Sequence, residues 1–173
     1  MDKIDLTGSC DQEDKLTIRF ATIEDIPLIL AFIKELAEYE KMSDQVTATE
    51  EILKKTIFAD KRAEVLISEY AGEPAGFMLF FYNFSTFLGK PGIYLEDWYV
   101  RPNLRGKGIG KAMLHHLAKI AIEKDCGRLE GWCLDWNESS IEFYKKMGAI
   151  PMSEWTVYRV TGKKLEVLGT PAA

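Results

Sequence analysis

The sequence predicts a mixed α/β domain in which a mostly antiparallel central sheet is flanked by helices. Its length of 173 residues fits one domain and is too short for two. Apolar segments that alternate or run together between short turns dominate the middle of the chain, as strands do. Helical apolar spacing precedes and follows them. Residues 1–15 are polar and aperiodic, and are expected to form a loose tail before a single domain at 16–173.

The elements are predicted in chain order from local signals. Leu16–Phe20 alternates as a strand does, and Thr22–Asp25 resembles a capping box that opens a helix reaching about Glu40. Thr49 is placed to cap a second helix, which runs to about Phe58. The later elements are a strand at 64–70, a strand from 76 to about 85, a strand at 93–100, a helix from 109 to about 124, a strand at 128–134, a helix at 137–146, and a hairpin of strands at 154–160 and 164–168.

Composition and charge exclude several classes of function. The net charge of −5 and the lack of a basic face argue against nucleic acid, whose binding depends on neutralised phosphates. No apolar stretch approaches the length that spans a bilayer, and the N-terminus has no signal-peptide pattern. The cysteines and histidines lack metal-site spacing, so no metal is predicted: Cys10, Cys126, Cys133, His115 and His116. We therefore expect a soluble cytoplasmic protein that binds neither nucleic acid nor membranes.

The most informative segment, Arg105–Lys111, joins a predicted strand to a predicted helix. Its glycines open onto a helix N-terminus, where unpaired N–H groups and the helix dipole favour a phosphate. A P-loop would need a hydroxyl where Ala112 stands, and the dinucleotide fingerprint would need a third glycine where Lys111 stands. An ordinary glycine-rich turn is the simplest alternative.

The pattern Arg-Gly-x-Gly-Ile-Gly, which follows a strand ending in Val-x-Pro, resembles the coenzyme A pyrophosphate loop of the GNAT acetyltransferase superfamily. The predicted order of elements is similar to that of the superfamily as well. Two narrower segments, Ile33–Glu40 and Tyr94–Val100, resemble the diamine acetyltransferase branch, which acts on spermidine and spermine. The segment Trp136–Ala149 resembles the superfamily in general. Together the resemblance covers most of residues 16–160.

This resemblance implies acetyl-CoA as the co-substrate and a small cationic amine, first of all a polyamine or diamine, as the acceptor. It also implies a homodimer. A sister branch acts on thialysine and related small amino acids, and these acceptors stay open because Glu130 and Met152–Trp155 depart from the diamine pattern near the expected acceptor cleft. A non-catalytic domain that senses acetyl-CoA is an alternative of a different class.

The resemblance also assigns roles to individual residues. Tyr144, on the same predicted helix face as Ser140, matches a tyrosine placed to protonate the coenzyme A sulfur, and a core aromatic is the alternative. Glu96 is expected to act as the base, through a water, although an ion pair with a lysine would also explain its position. The residues expected to bind acetyl-CoA are Trp98, Tyr99, Val100, Arg105, Gly106, Lys107, Gly108, Ile109, Gly110, Lys111, Asn137, Ser140 and Tyr144. Those expected to bind the amine are Tyr39, Glu40, Glu96 and Asp97.

Overall fold

The structure, a computed structural model, describes residues 15–170, which form two compact units at 15–132 and 133–170. The predicted tail at 1–15 lies outside the described residues except for its last residue. The strands are β1 Leu16–Phe20, β2 Glu64–Tyr70, β3 Glu73–Ser85, β4 Lys90–Val100 and β5 Leu129–Gly131. The helices of the first unit are α1 Ile26–Tyr39, α2 Glu50–Leu53 and α3 Ile109–Glu123. The second unit contains α4 Glu138–Lys146 and α5 Lys163–Gly169.

The five strands form one sheet in chain order, and the first four are antiparallel while β5 runs parallel to β4. This confirms the predicted mostly antiparallel sheet. Each face of the sheet carries an apolar layer, with α3 on one face and α1 and α2 on the other. Phe32 of α1 is fully buried and stacks on Phe77 of β3, with ring centroids 5.4 Å apart. Losing such a buried ring costs about 3–5 kcal/mol of stability, so this contact fixes α1 on the sheet.

A β-bulge interrupts the pairing of β3 with β4 at the centre of the sheet. Leu79 lies opposite Asp97 and Phe80 opposite Leu95, so Glu96 is an extra residue on β4. Strand side chains normally alternate between faces, and an inserted residue reverses that alternation beyond it. Tyr94 lies opposite Phe81, two residues from Leu79 along β3. Asp97 and Tyr94 therefore share one face of the sheet although three positions separate them.

The predicted capping signals operate at both early helices. Asp25 Oδ2 accepts a hydrogen bond of 2.7 Å from the N–H of Thr22, and a 3₁₀ turn at Ile23–Asp25 leads into α1. The side chain of Thr49 accepts a hydrogen bond of 3.3 Å from the N–H of Ile52 at the start of α2. After Leu53 this helix continues as a π-helix over Lys54–Ala59. Both helices thus begin where the sequence predicts.

The predicted hairpin at 154–160 and 164–168 is wrong. No helix or strand occupies residues 151–161, and Lys163–Gly169 is a helix. A strand needs a neighbour for its backbone hydrogen bonds, and residues 133–170 contain no other strand. Leucine, lysine and glutamate in the second segment are good helix formers, which outweighs its short alternation. The strand predicted at 128–134 is also shorter than expected, because only Leu129–Gly131 pairs with β4.

Candidate active site

The loop between β4 and α3 has a backbone that only glycine adopts easily. Gly106 and Gly108 have φ angles of 77° and 78°, in the left-handed region, and a Cβ at either would meet no atom within 4 Å. Conformation, not crowding, therefore requires these glycines. Gly108 caps α3, so the N–H groups of the first helical turn have no acceptor within the helix. These donors and the helix dipole favour an anion at this point.

Gly110, in that first turn, is required by a close neighbour instead. A Cβ on Gly110 would lie 3.3 Å from the indole ring of Trp98 on β4. The indole can therefore pack close to the start of α3, and it lies against the apolar layer that includes Ile109 and Met113. This contact fixes the position of the helix N-terminus relative to β4.

Two basic side chains of the loop rest on aromatic rings of the first unit. The Arg105 guanidinium lies 4.5 Å from the centroid of Tyr39 and 5.7 Å from that of Tyr99, and its Nε donates a hydrogen bond of 2.9 Å to the carbonyl oxygen of Val100. The Lys107 ammonium lies 4.9 Å from the centroid of Tyr70. Cation–π contacts of this kind are worth about 0.5–1 kcal/mol each at exposed sites. The structure therefore joins Tyr39, predicted to bind the amine, to a loop predicted to bind acetyl-CoA.

The C-terminal half of β4 has one edge that no strand of the first unit covers. β5 pairs with β4 only at Ile93–Leu95, and Arg101 N–H donates to the Ala75 carbonyl oxygen on the β3 side. Alternate residues of a strand direct their N–H and C=O groups to opposite sides. The main-chain groups of Trp98 and Val100 therefore face the edge away from β3. Those of Tyr99 face β3. Since the Val100 carbonyl oxygen already accepts from Arg105, the main-chain groups of Trp98 and the N–H of Val100 are the candidates for binding a linear ligand.

Three carboxylates lie close enough to influence one another electrostatically. The pKa of Asp97 is raised from 3.8 to about 7, chiefly by burial and in smaller part by the charges of Glu96 and Glu40. Burial also raises the pKa of Glu40. Glu96, the bulge residue, is exposed. The structure thus brings together the three acidic residues that the sequence predicts to bind the amine, and Asp97 is the most perturbed of them.

An ion pair that the sequence did not single out anchors this region. Arg101, next after β4, donates two hydrogen bonds to the Glu35 carboxylate at 3.1 and 2.8 Å, and its guanidinium lies 4.9 Å from the centroid of Phe32. Bidentate contacts of this type fix geometry as well as charge. Glu35 lies within Ile33–Glu40, the segment that resembles the diamine branch. This segment therefore contains an anchoring ion pair as well as two residues predicted to bind the amine.

In the second unit, Asn137 and Tyr144 stand on α4 as predicted. The Asn137 side chain is buried and accepts hydrogen bonds from the Ser140 N–H at 3.3 Å and the Ser139 hydroxyl at 3.1 Å, which caps the helix. Tyr144 follows Ser140 by four residues, so the two share a helix face. Burial raises the pKa of Tyr144 to about 12, with a smaller contribution from Cys133. Its phenol therefore holds its proton at neutral pH.

The described residues contain no group of three or more potential metal-ligating side chains close together. No helix within residues 15–170 is long and apolar enough to cross a membrane.

The fold thus places a glycine-rich loop and a helix N-terminus at the end of a strand with one uncovered edge. The model of the acetyltransferase (GNAT) family matches residues 29–149, and the chain belongs to that family. It is an N-acetyltransferase, and members of the family use acetyl-CoA.

Two of the similar proteins are named for their amine acceptors. Thialysine N-ε-acetyltransferase of Bos taurus is 39% identical over 165 residues, which cover 87% of this chain and 95% of that protein. Spermidine/spermine N(1)-acetyltransferase-like protein 1 of Homo sapiens is 34% identical over 163 residues, which cover 88% of this chain and 23% of that protein. The solved structure of an integron cassette protein from V. cholerae has a TM-score of 0.75 and 27% identity, covering 91% of this chain and 99% of that one.

Proposed function

We propose that this enzyme acetylates a primary amine of a small cationic substrate, with a polyamine or diamine as the first candidate. The observation that carries the proposal is the group of three carboxylates, Glu40, Glu96 and Asp97, at the bulge of β4. Such a group attracts cations, and the net charge of −5 acts in the same direction. The likeness to the spermidine/spermine relative supports this choice of acceptor.

The acceptor must lose a proton before its nitrogen can attack. An alkyl ammonium with a pKa near that of lysine, about 10.4, needs roughly 4–5 kcal/mol to reach its neutral form at pH 7. In the proposal Glu96 takes this proton through a water, since its exposed side chain is accessible to solvent. Glu40, Asp97 and the ring of Tyr39 hold the cation next to it.

The departing thiolate needs a proton, and Tyr144 is the proposed donor. Its phenol is protonated at neutral pH because burial raises the pKa to about 12. A protonated phenol can give its proton as the carbon–sulfur bond breaks and recover one from solvent afterwards. A purely structural role as a packed aromatic is the alternative that substitution must exclude.

The residues present fit acetyl-CoA, which supplies an activated acetyl group when bound. The glycine loop offers N–H donors for the pyrophosphate, and the uncovered edge of β4 offers main-chain groups for the linear arm. The residues proposed to hold it are Trp98, Tyr99, Val100, Arg105, Gly106, Lys107, Gly108, Ile109, Gly110, Lys111, Asn137, Ser140 and Tyr144. Among these, Tyr99 has the least support, because its main chain faces β3 and its side chain is buried.

A small amino acid with a terminal amine is the second candidate acceptor. The likeness to thialysine N-ε-acetyltransferase favours it, and that likeness extends over nearly the whole of both chains. The same carboxylates would bind the terminal ammonium in either case.

Thiol release from acetyl-CoA across a panel of amines tests the proposal. We expect turnover with spermidine, 1,4-diaminobutane or thialysine, and none with uncharged alcohols of similar length. A protein that binds acetyl-CoA but releases no thiol with any amine would be a sensing module instead. A preference for peptides would assign it to protein acetylation.

We further propose a homodimer in the cytoplasm. Apolar side chains are strongly exposed in the second unit, among them Trp155 at 71% and Tyr158 at 90%. Exposed apolar surface of this kind is typical of protein–protein interfaces. The cytoplasmic location stays a prediction from the sequence.

A further inference from the structure

A polar cluster at the N-terminal half of β4 stands apart from the three carboxylates. Glu130 of β5 accepts a hydrogen bond of 2.7 Å from Asn83 Nδ2 and forms an ion pair of 2.9 Å with Arg128 Nε. The side chains of Arg128 and Glu130 are 36% and 34% exposed, so both are open to a ligand. The ion pair joins Nε of the guanidinium to the Glu130 carboxylate, and the partial exposure of Arg128 leaves room for a further anion beside it.

β4 has a glycine, Gly92, at the position where a side chain would collide with this cluster. Gly92 lies opposite Asn83, and a Cβ there would be 2.5 Å from Asn83 Oδ1 and 2.9 Å from Arg128 Cγ. Glycine within a strand often marks a place where another group approaches closely. Asn83 Oδ1 is buried and accepts no hydrogen bond from any described residue, which costs about 1–3 kcal/mol for such a group. The contacts of Glu130 with Asn83 and Arg128 leave this oxygen unsatisfied.

The cluster shares a face of the sheet with Asp97. The register places Phe81, Tyr94 and Glu130 in one row across three strands, and the bulge puts Asp97 on the same face. The distance along β4 from Tyr94 to Asp97 is three residues, about 10 Å at most. An extended lysine-like side chain spans about 6 Å from its α-carbon to its terminal nitrogen, and a hydrogen bond of about 2.9 Å at the amine end covers most of the remaining distance.

An aromatic surface lies between the two ends. The ring of Phe81 stacks on Tyr94 with centroids 5.1 Å apart, and Tyr94 meets Trp132 edge-to-face at 5.9 Å. Trp132 is 53% exposed, so the surface is accessible. Aromatic faces suit methylene chains and adjacent cations.

We propose that Arg128, Glu130 and Asn83 bind the α-carboxylate and α-ammonium of an amino-acid acceptor, whose terminal amine reaches Asp97 across the Phe81–Tyr94–Trp132 surface. The proposal rests on the amine acetyltransferase activity and selects its substrate class. An α-amino acid carries adjacent opposite charges, and Glu130 and Arg128 present the complementary pair. A polyamine has no carboxylate to bind Arg128. The cluster therefore favours the second candidate acceptor of the proposed function, an amino acid with a terminal amine, over the corresponding diamine.

Matched substrates test this preference directly. Lysine and 1,5-diaminopentane differ only in the α-carboxylate, as do ornithine and 1,4-diaminobutane. In the wild-type enzyme kcat/KM should be at least about tenfold higher for each amino acid, the value of one charge-assisted hydrogen bond. An equal or lower value for the amino acids overturns the proposal, whereas no thiol release with any amine overturns the acetyltransferase function itself.

Variants locate the preference in the cluster. Arg128→Gln should lower the amino-acid to diamine ratio by about tenfold while kcat/KM for the diamine is kept. Arg128→Lys keeps the positive charge and should retain part of the amino-acid to diamine ratio. It takes the place of Arg128→Gln if that variant does not fold. Lys90→Gln is the control, because Lys90 pairs with Asp125 at 2.6 Å in an exposed part of the same sheet. An unchanged ratio in folded Arg128→Gln protein would contradict the assignment.

Discussion

At the scale of single residues, the site separates two acidic neighbours into different environments. Glu96 is the exposed extra residue of a bulge, whereas Asp97 is half-buried and holds its proton up to about pH 7. Groups with strongly perturbed pKa values in such settings mark functional sites more often than surface ion pairs do. The sequence places the two side chains on opposite faces, but only the structure shows which of them is buried.

Replacing Tyr144 with phenylalanine removes the proposed proton donor and little volume. We expect Tyr144→Phe to lower kcat by about 10²–10⁴ with little change in KM for acetyl-CoA, because the hydroxyl acts on the leaving sulfur. Steady-state thiol release measures both constants. Tyr158→Phe, at a tyrosine that is 90% exposed in the same unit, should leave them unchanged. A Tyr144→Phe enzyme with wild-type turnover would exclude the role.

Glu96→Gln tests the base. Without the carboxylate, the amine must lose its proton to bulk solvent, so the pH–rate profile should shift to higher pH and KM for cationic amines should rise. Rates across a pH series with saturating acetyl-CoA measure the shift. Glu38→Gln, at an exposed position of α1, is the matched control. If the Glu96→Gln profile coincides with that of the wild type, another group takes the proton.

Asp97→Asn should make the protein more stable at alkaline pH. The folded state raises the pKa of Asp97 from 3.8 to about 7. Its ionisation therefore costs stability as the pH rises through that interval, and the cost is complete above it. Denaturant unfolding should show a gain of about 1–3 kcal/mol for Asp97→Asn at pH 8 and almost none at pH 4. The exposed Asp44→Asn variant should show no such pH dependence, and a gain equal at both pH values would argue against burial as the cause.

At the scale of elements, the glycines determine the backbone conformation of the loop before α3. The pairing of β3 with β4 determines where the bulge lies. The loop and its helix could be predicted because Gly-x-Gly and an apolar helical period are local signals. The bulge could not, since it depends on how Phe80 and Leu79 of β3 align with β4. The hairpin predicted at 154–168 failed for the same reason, because alternation reports a preference for strand but not the presence of a partner.

Gly106→Ala tests the loop as a phosphate site. A left-handed backbone costs a residue with a Cβ about 1–2 kcal/mol, so the loop should open and KM for acetyl-CoA should rise about tenfold. Gly72→Ala is a matched control, because Gly72 has a φ of 83° in the turn between β2 and β3, with open space around it. Both variants should lose stability, and only the first should lose cofactor affinity. Equal KM values would exclude the loop from the acetyl-CoA site.

At the scale of the whole molecule, the run of antiparallel strands at the centre of the chain was predictable from alternation and turn signals, and so was the glycine-rich loop before α3. The acidic residues were predictable by their likeness to relatives, whereas the Asn83, Arg128 and Glu130 cluster was not. Its members come from β3, the segment before β5, and β5, and only the sheet brings them together.

Sedimentation equilibrium tests the proposed dimer. The chain has a mass of 19.7 kDa, and we expect about twice that mass in solution. Trp155→Glu should shift the protein towards the monomer, because a charge at an apolar interface is costly to bury. Ile122→Glu, at an isolated apolar side chain that is 77% exposed on α3, is the control. A wild-type protein that sediments as a monomer at micromolar concentration would contradict the dimer.

The contact of Arg105 with Tyr39 has a consequence for the order in which ligands act. A residue of the loop proposed to bind pyrophosphate rests on a ring proposed to bind the amine, so a ligand that displaces the guanidinium alters the environment of both. Thermodynamic reciprocity then requires that acetyl-CoA change the affinity for the amine by the same factor by which the amine changes the affinity for acetyl-CoA. Calorimetric titrations of each ligand with and without the other would yield this coupling free energy, and Tyr39→Leu should abolish it.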